Sequence, residues 1–464
     1  MKNLLLITGF FALLVMPITA APKKAQRVVI EHVNVLPMTE DGAPLLDAMV
    51  HIENGRIVAL EGTPPIGAKR INGKGKWLIP GLMDMHVHLP SDDYLPDHPT
   101  VRSEPPIVYF DTQDMMTPYI ANGVTQIFNL DANAIAIGRR NEIAAGKVVG
   151  PHMALAALID GIRPDGRVAV TPADGRQAVR DAKAEGYGYI KLYWRLDTET
   201  FTAICDEARI QGMRVVGHIP NAFKGKLEKV FVPGFDMLAH AEELSNYSEK
   251  FAQEDATRFA LLAKTNGTAL TGTLTTMRWI ASQVRSLDEL KALPTLKYVH
   301  PIIRSQWIDR NSYTTMNKAR MVPHFENTVV FHRHLIRAFK AAGVPIIAGT
   351  DALNPGVVPG FSMHDELEML VDAGLTNEEA LAAATRVPAV WLGVANDRGT
   401  IEIGKRADIV LLDADPLDNI ANTRRIAGVM VGNRWLDRNR LDAMLADLAK
   451  RNEVRKDGYN WNGI

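Results

Sequence analysis

The sequence predicts an α/β protein: a TIM-like (β/α)8 barrel carrying a small composite β-sandwich formed by both chain ends. Three observations carry this expectation. Strand-like segments with tight-turn signals gather at the two ends of the chain. The middle alternates short apolar runs with helical stretches, eight times over about 310 residues. Several of those runs close on a histidine, a lysine or an aspartate.

In order along the chain, residues 1–21 read as a signal peptide. Lys2 supplies a short positive start, residues 4–16 are apolar except for Thr8 and Gly9, and small residues follow at Thr19, Ala20 and Ala21. The apolar run is shorter than the ~20 residues that a spanning helix needs, and Pro17 closes it. The expectation is an exported protein, periplasmic or secreted, without stable membrane insertion. Residues 27–35 read as a strand and 49–60 as a hairpin around Asn54-Gly55. Strand signals return at 400–403, 408–413 and 426–435, the last with a Gly432-Asn433 turn. Neither end could bury a sheet face alone. We therefore expect residues 22–80 and 394–464 to form one sandwich with a C-terminal helix, and 81–393 to form the barrel. The apolar runs of the middle lie at 77–89, 124–130, 152–158, 189–193, 215–219, 237–240, 268–273 and 344–350. Residues 198–211 and 328–342 are among the helical stretches between them. Residues 275–327, with Trp279 and Trp307, read as an insertion that covers the barrel mouth. A doubly wound open sheet is the alternative, but no Gly-rich phosphate loop follows the first strand.

Composition narrows the function. The 464 residues are 47% hydrophobic, enough for a large core. Lys and Arg total 52 against 53 Asp and Glu, so no basic excess points to nucleic acid. A small-molecule amide or short peptide is the expected partner, with self-association into a homo-oligomer left open. Cys205 is the single cysteine and lies in an apolar helical pattern, so neither a disulfide nor a thiol nucleophile is expected. Gly-x-Ser-x-Gly is absent as well.

The chemistry must rest on other groups. The first barrel run ends Asp84-Met85-His86-Val87-His88, and alternate residues of a strand share a face, so His86 and His88 point the same way. With 13 histidines in the chain, a His-x-His arises by chance roughly 0.4 times. His332-Arg333-His334 is such a chance pair: it falls in a helical pattern, where residues two apart diverge by about 200°. The first pair differs in its company. Lys191 lies in the fourth run, His218 ends the fifth, His240 the sixth and Asp351 the eighth. A barrel gathers strand ends into one mouth, so six ligand-type residues converge there.

His86-x-His88, Lys191, His218, His240 and Asp351, in this order, resemble the binuclear-metal subtype of the amidohydrolase superfamily. The resemblance is to its imidazolonepropionase-like and prolidase-like branch. Residues 399–410 resemble that family's return into its sandwich, and 380–393 the helical segment before it. The resemblance implies His86, His88 and Asp351 on the more buried of two divalent metals, His218 and His240 on the other, and Lys191 bridging them as a CO2-derived carbamate. A lysine ammonium has no lone pair to offer a cation, whereas a carbamate offers two oxygens. Zinc suits this set, with manganese or cobalt as alternatives. The implied activity is that of a metallopeptidase-like hydrolase: attack on an amide C–N bond by a metal-bridged hydroxide, with Asp351 as the catalytic proton carrier. An N-acyl amino acid or dipeptide is the expected substrate, with a cyclic amide, imide or lactone as the alternative and a non-catalytic binding protein as the third reading.

Substrate contacts are expected from His152, Arg163 and Tyr193, with Arg167, Trp194 and Arg195 nearby in the loops. After the third run, prolidase-like relatives carry Gly-Gly-His-Gly where this chain reads Leu158-Ile159-Asp160-Gly161. Ile219-Pro220 follows His218 in place of a small residue and a second histidine. These departures bear on dipeptidase specificity and leave the metal ligands intact.

Overall fold

The computed structural model describes residues 26–90, 110–162 and 166–456. The signal-peptide segment and Arg163 lie outside the described residues. No helix among those described is long and apolar enough to cross a membrane.

Eight parallel strands form the barrel in sequence order: Leu82–Val87, Val124–Asn129, His152–Asp160, Tyr189–Leu192, Arg214–Gly217, Met237–Leu238, Ala269–Thr271 and Ile346–Ile347. The first and eighth meet to close the ring. Met85 N–H donates to the Ala348 carbonyl (3.1 Å), Asp351 N–H donates to the His86 carbonyl (2.7 Å), and Val87 bridges Ala352. Gly349 makes this approach feasible, because a Cβ there would sit 2.9 Å from the His86 nitrogen. All eight strands contribute to one apolar cluster, through Met85, Phe128, Ala156, Tyr189, Val216, Met237, Ala269 and Ile347, with Trp391 packed on it. That cluster makes the barrel a filled core rather than a pore.

The chain ends form a second, eight-stranded sheet. Arg27–Val35 is its centre, Trp77–Pro80 pairs with it and with Ile409–Leu412, and Ile426–Val431 and Arg434–Asp437 extend it. It encloses a small core of Val28, Ile30, Val33, Ile52, Leu78, Ile409 and Met430. Both hairpin turns read from the sequence are present: Asn54 and Gly55 have φ of 49° and 76°, and Gly432 and Asn433 have 54° and 63°. These left-handed pairs match the twist of two-residue hairpins. The apolar run 77–89 is two strands. It leaves the end-derived sheet at Pro80 and enters the barrel at Leu82, and Gly81 packs so tightly on Thr125 that a Cβ would fall 2.0 Å from its Oγ1.

Residues 400–403 are not a strand. Gly399 and Gly404 flank them at φ of 95° and 92°, and Thr400 and Lys405 turn inward on Glu402 instead of extending a ladder. The insertion between the seventh and eighth strands is helical, with Leu274–Arg285, Pro301–Asp309 and the start of Lys318–Ala342. It is tied to the loop after the eighth strand. Thr276 Oγ1 donates to Thr350 O (2.7 Å), the Gln283 amide to Pro355 O (2.8 Å) and the Trp307 indole to Leu353 O (3.2 Å). It is thus a packed wall of the barrel mouth.

Candidate metal centre

The strand ends bring the expected residues together. His86, His240 and Asp351 are buried, and each offers a ligand atom within 4.8 Å of the others. His88 joins them: its Nε2 lies 3.3 Å from His86 Nε2 and 3.1 Å from Asp351 Oδ1, which is itself 3.3 Å from His86 Nε2. The His218 ring packs against His240 with centroids 5.0 Å apart. Lys191 is 1% exposed, and its charge acts on His86, His240 and Glu243.

Three of the rings are held from behind. His86 Nδ1 faces the Ala239 carbonyl (3.0 Å), His88 Nδ1 the Asp131 carboxylate (2.9 Å), and His218 Nδ1 the Glu243 carboxylate (2.5 Å). His240 Nδ1 lies 3.1 Å from Thr273 Oγ1, and Thr273, although β-branched, is held at φ 47°. A carbonyl or carboxylate at Nδ1 fixes the proton there and leaves Nε2 as a bare lone pair. Asp351 adopts φ 60°, which an aspartate tolerates better than most residues.

Electrostatics single out the same cluster. Burial drives His86 and His240 well below the ordinary histidine range; neighbouring positive groups deepen the depression at both, while the Asp351 carboxylate opposes it at His240. Burial acts the same way on His88, but Asp131 and Asp351 outweigh it and raise that imidazole to about 10. Burial lifts the Asp84 carboxyl to about 7 despite hydrogen bonds from Thr350 and His86. The Asp84 carboxylate accepts from Thr350 N (2.9 Å), Thr350 Oγ1 (2.6 Å) and His86 N (3.3 Å), so it fixes the backbone beside two of the clustered groups at once.

Whether a cation suits these residues is decided by their lone pairs. His86 Nε2, His88 Nε2 and Asp351 Oδ1 face one another at 3.1–3.3 Å, and with no ion between them the raised His88 imidazole carries the proton that links it to Asp351. Acceptors at that spacing repel unless something positive sits between them. A bound cation meets that requirement in the proton's place.

Other expectations fare differently. His152 opens the third strand rather than closing it. It therefore lies at the barrel end opposite the mouth, where its Nε2 pairs with Asp408 Oδ2 at 3.0 Å; it is not a substrate contact. Tyr193 is at the mouth, with its ring edge-on to His218 at 4.3 Å. Arg167 pairs with Glu185 on the surface. His332 is buried in its helix against Ser245 Oγ, away from His334 and from the cluster.

Sequence reasoning missed Glu243, Asp131, Asp84 and Thr273, which hold the clustered side chains. The insertion also contributes Tyr313: after burial, the charges of Glu242 and Asp351 push its phenol up to about 12. Its phenol thus stays protonated at neutral pH, near enough to both carboxylates to feel their charge. Burial, followed by Glu243 and Asp351, pushes the Glu242 carboxyl up to about 7.

Residues 77–436 match the model of the Amidohydrolase family, and the chain belongs to that family. Within it, the chain is 36% identical over 104 residues to an imidazolonepropionase of Maricaulis maris. That match covers 22% of this chain and about a quarter (26%) of the relative's length. Among solved structures, a bottromycin amidohydrolase superposes with a TM-score of 0.70 at 22% identity, covering 92% of this chain and 90% of the other. A Xaa-Pro dipeptidase with bound methionine superposes at 0.65 with 19% identity, covering 89% and 100%. At these identities the two structures speak for the fold.

Proposed function

We propose that this protein hydrolyses an amide or peptide-like C–N bond at a centre of two divalent metal ions, zinc by preference, held by His86, His88, Lys191, His218, His240 and Asp351. The observation that carries this reading is the convergence of ligand-type atoms of His86, His88 and Asp351, with His240 and Lys191 beside them. Such ions supply Lewis acidity, towards a carbonyl oxygen and a water alike. The chain's own residues do the rest. Asp351 accepts a proton and delivers it to the leaving amine, since its carboxylate lies within 3.1–3.3 Å of the His86 and His88 ring nitrogens at the centre of the cluster. Ala239, Asp131 and Glu243 keep three imidazoles turned with Nε2 inward. Lys191 is read as carboxylated, because an ammonium buried among these ligands would repel the ions, whereas a carbamate attracts them.

An N-acyl amino acid or dipeptide is the proposed substrate. The local likeness to an imidazolonepropionase, whose name denotes a ring substrate, supports a cyclic amide or lactone as the second class. We also propose export: the mature chain should begin near Ala21 or Pro22 and be found outside the cytoplasm, which N-terminal sequencing of fractionated cells checks. The central test is elemental analysis of the purified protein with intact mass, followed by a panel of N-acyl amino acids, dipeptides and lactones. About two metal ions per chain, a CO2-sized mass increment on Lys191 and turnover of one class are expected. Protein that takes up no divalent ion after zinc supplementation would sink the proposal.

A further inference from the structure

The rings at the barrel mouth form a continuous series that runs from the buried cluster to solvent. His86 packs on His240 (4.3 Å between centroids), His240 on His218 (5.0 Å), and His218 on both Tyr193 (4.3 Å, 73°) and Trp194 (5.0 Å, 72°). The series ends on Trp194, which is 45% exposed. A lone exposed tryptophan needs no explanation, but this one is fixed from three sides. Its indole N–H lies close enough to the Glu243 carboxyl, the same group that holds His218, to favour that carboxyl's charged form. Its carbonyl accepts from Asn221 N (2.9 Å) in the loop after the fifth strand. The next residue, Arg195, donates its backbone N–H to Asp160 (2.7 Å) and its guanidinium to Ile162 O (2.7 Å) in the loop after the third. Three loops are thereby bound into one rigid wall, and the indole stands on it with its ring open to water. Ile162, Val168 and Val170 on the neighbouring loop are exposed as well, at 67%, 54% and 58%.

A rigid aromatic ring costs little entropy on contact, and its apolar face gains by leaving water. Its place is set by chemistry: one ring away from His218, it is within reach of the first substituent on a carbonyl held at the cluster. From this arrangement we infer that Trp194, with Tyr193 beside it, is a specificity platform for a flat apolar group, an aromatic side chain or acyl substituent, on the substrate. The inference rests on the metal-dependent reading above and goes beyond it by naming the substituent. It makes Trp194 a residue that touches substrate without taking part in bond breaking.

The test uses metal-loaded full-length protein and two hydroxamates as probes, acetohydroxamate and 3-phenylpropanohydroxamate, with binding read by calorimetry. Both carry the same metal-binding head, so the ratio of their affinities reports the platform and cancels changes at the metals. Wild type should prefer the phenyl probe by roughly tenfold or more. Trp194→Ala should bring that ratio close to one. Trp194→Phe, which keeps a ring but loses the N–H near Glu243, should retain most of it. Equal affinities in wild type, a preference that survives Trp194→Ala, or a Phe variant that behaves like the Ala variant would each overturn the platform. If neither probe binds wild type, the metal-centre reading itself fails and the platform falls with it, an outcome distinct from equal binding.

Discussion

Glu243→Gln is the substitution that isolates how the cluster is held. The Glu243 carboxylate faces two donors, His218 Nδ1 (2.5 Å) and Ile219 N (2.8 Å), with the Trp194 indole near enough to favour its charge. Glutamine preserves the shape but replaces one acceptor oxygen by an NH2, which must then confront at least one donor. A hydrogen bond to a charged group is worth about 1.5–3 kcal/mol. If the loss falls on the orientation of His218, metal affinity at that position should drop roughly 10- to 150-fold, which overlaps the roughly 10- to 100-fold typical when the outer partner of a metal-ligating histidine is removed. The assay is a competition titration with a chromophoric chelator, beside elemental analysis and a thermal melt to show that the fold persists. Glu243→Asp, which keeps the charge but shortens the reach, should fall between wild type and Gln. A Gln variant that binds metal with wild-type affinity at full occupancy would refute the claim that this carboxylate orients His218.

Lys191→Ala should lose at least one ion and nearly all turnover, and short added carboxylates should restore part of both; wild-type activity in that variant would contradict a bridging role. Asp351→Asn should lower metal occupancy modestly but kcat by roughly 10²–10⁴, so lost activity should outrun lost metal when both are measured on one preparation. Acid should destabilise the fold through His332 and His364. Burial holds both neutral and lowers each to about 3. Their folded values lie below the unfolded 6.5, so the native state binds fewer protons in that window. Their contribution is complete above pH 6.5 and is lost as pH falls toward 3. Melts between pH 7.5 and 4.5 should show Tm falling through this range, more gently in His364→Gln; a slope unchanged by that variant would remove His364 from the account.

What the sequence made legible was whatever obeys a local rule. The two hairpins announced themselves because Asn-Gly and Gly-Asn tolerate positive φ. His86 and His88 were legible because a strand repeats every two residues. His218, His240 and Asp351 close apolar runs, and a barrel turns closed runs into a shared mouth. Glu243 carried no such signal. It follows His240 by three residues, but its partner His218 is 25 residues away, across two strand ends, and only tertiary structure joins them. Asp84 and Thr350 are the same case at longer range. His152 opens its run, so the rule that gathers closing residues at the mouth places it at the far end of the barrel, and its expected substrate role had no support from its position. The insertion gave its length away but not its anchors, since Thr276, Gln283 and Trp307 spend their hydrogen bonds on backbone carbonyls that any sequence would offer.

The seam between the first and eighth strands has a consequence for how the molecule comes apart. A closed barrel is a ring, and its final join here links segments 266 residues apart, through Asp84 and Thr350. Bringing such distant segments together costs chain entropy, although the cost grows only slowly with length. The proposed ions would be gripped by side chains from both lips of that join, His86 and His88 on one and Asp351 on the other. They would act as a rivet through the ring as well as a reagent. Stripping them should therefore loosen the protein in one place before any other, with amide exchange rising first along 84–88 and 348–352 while the remaining strands stay shut. The same rivet would make assembly of the barrel and arming of the site a single event, so that a chain with an unclosed barrel would have no reactive centre to misuse.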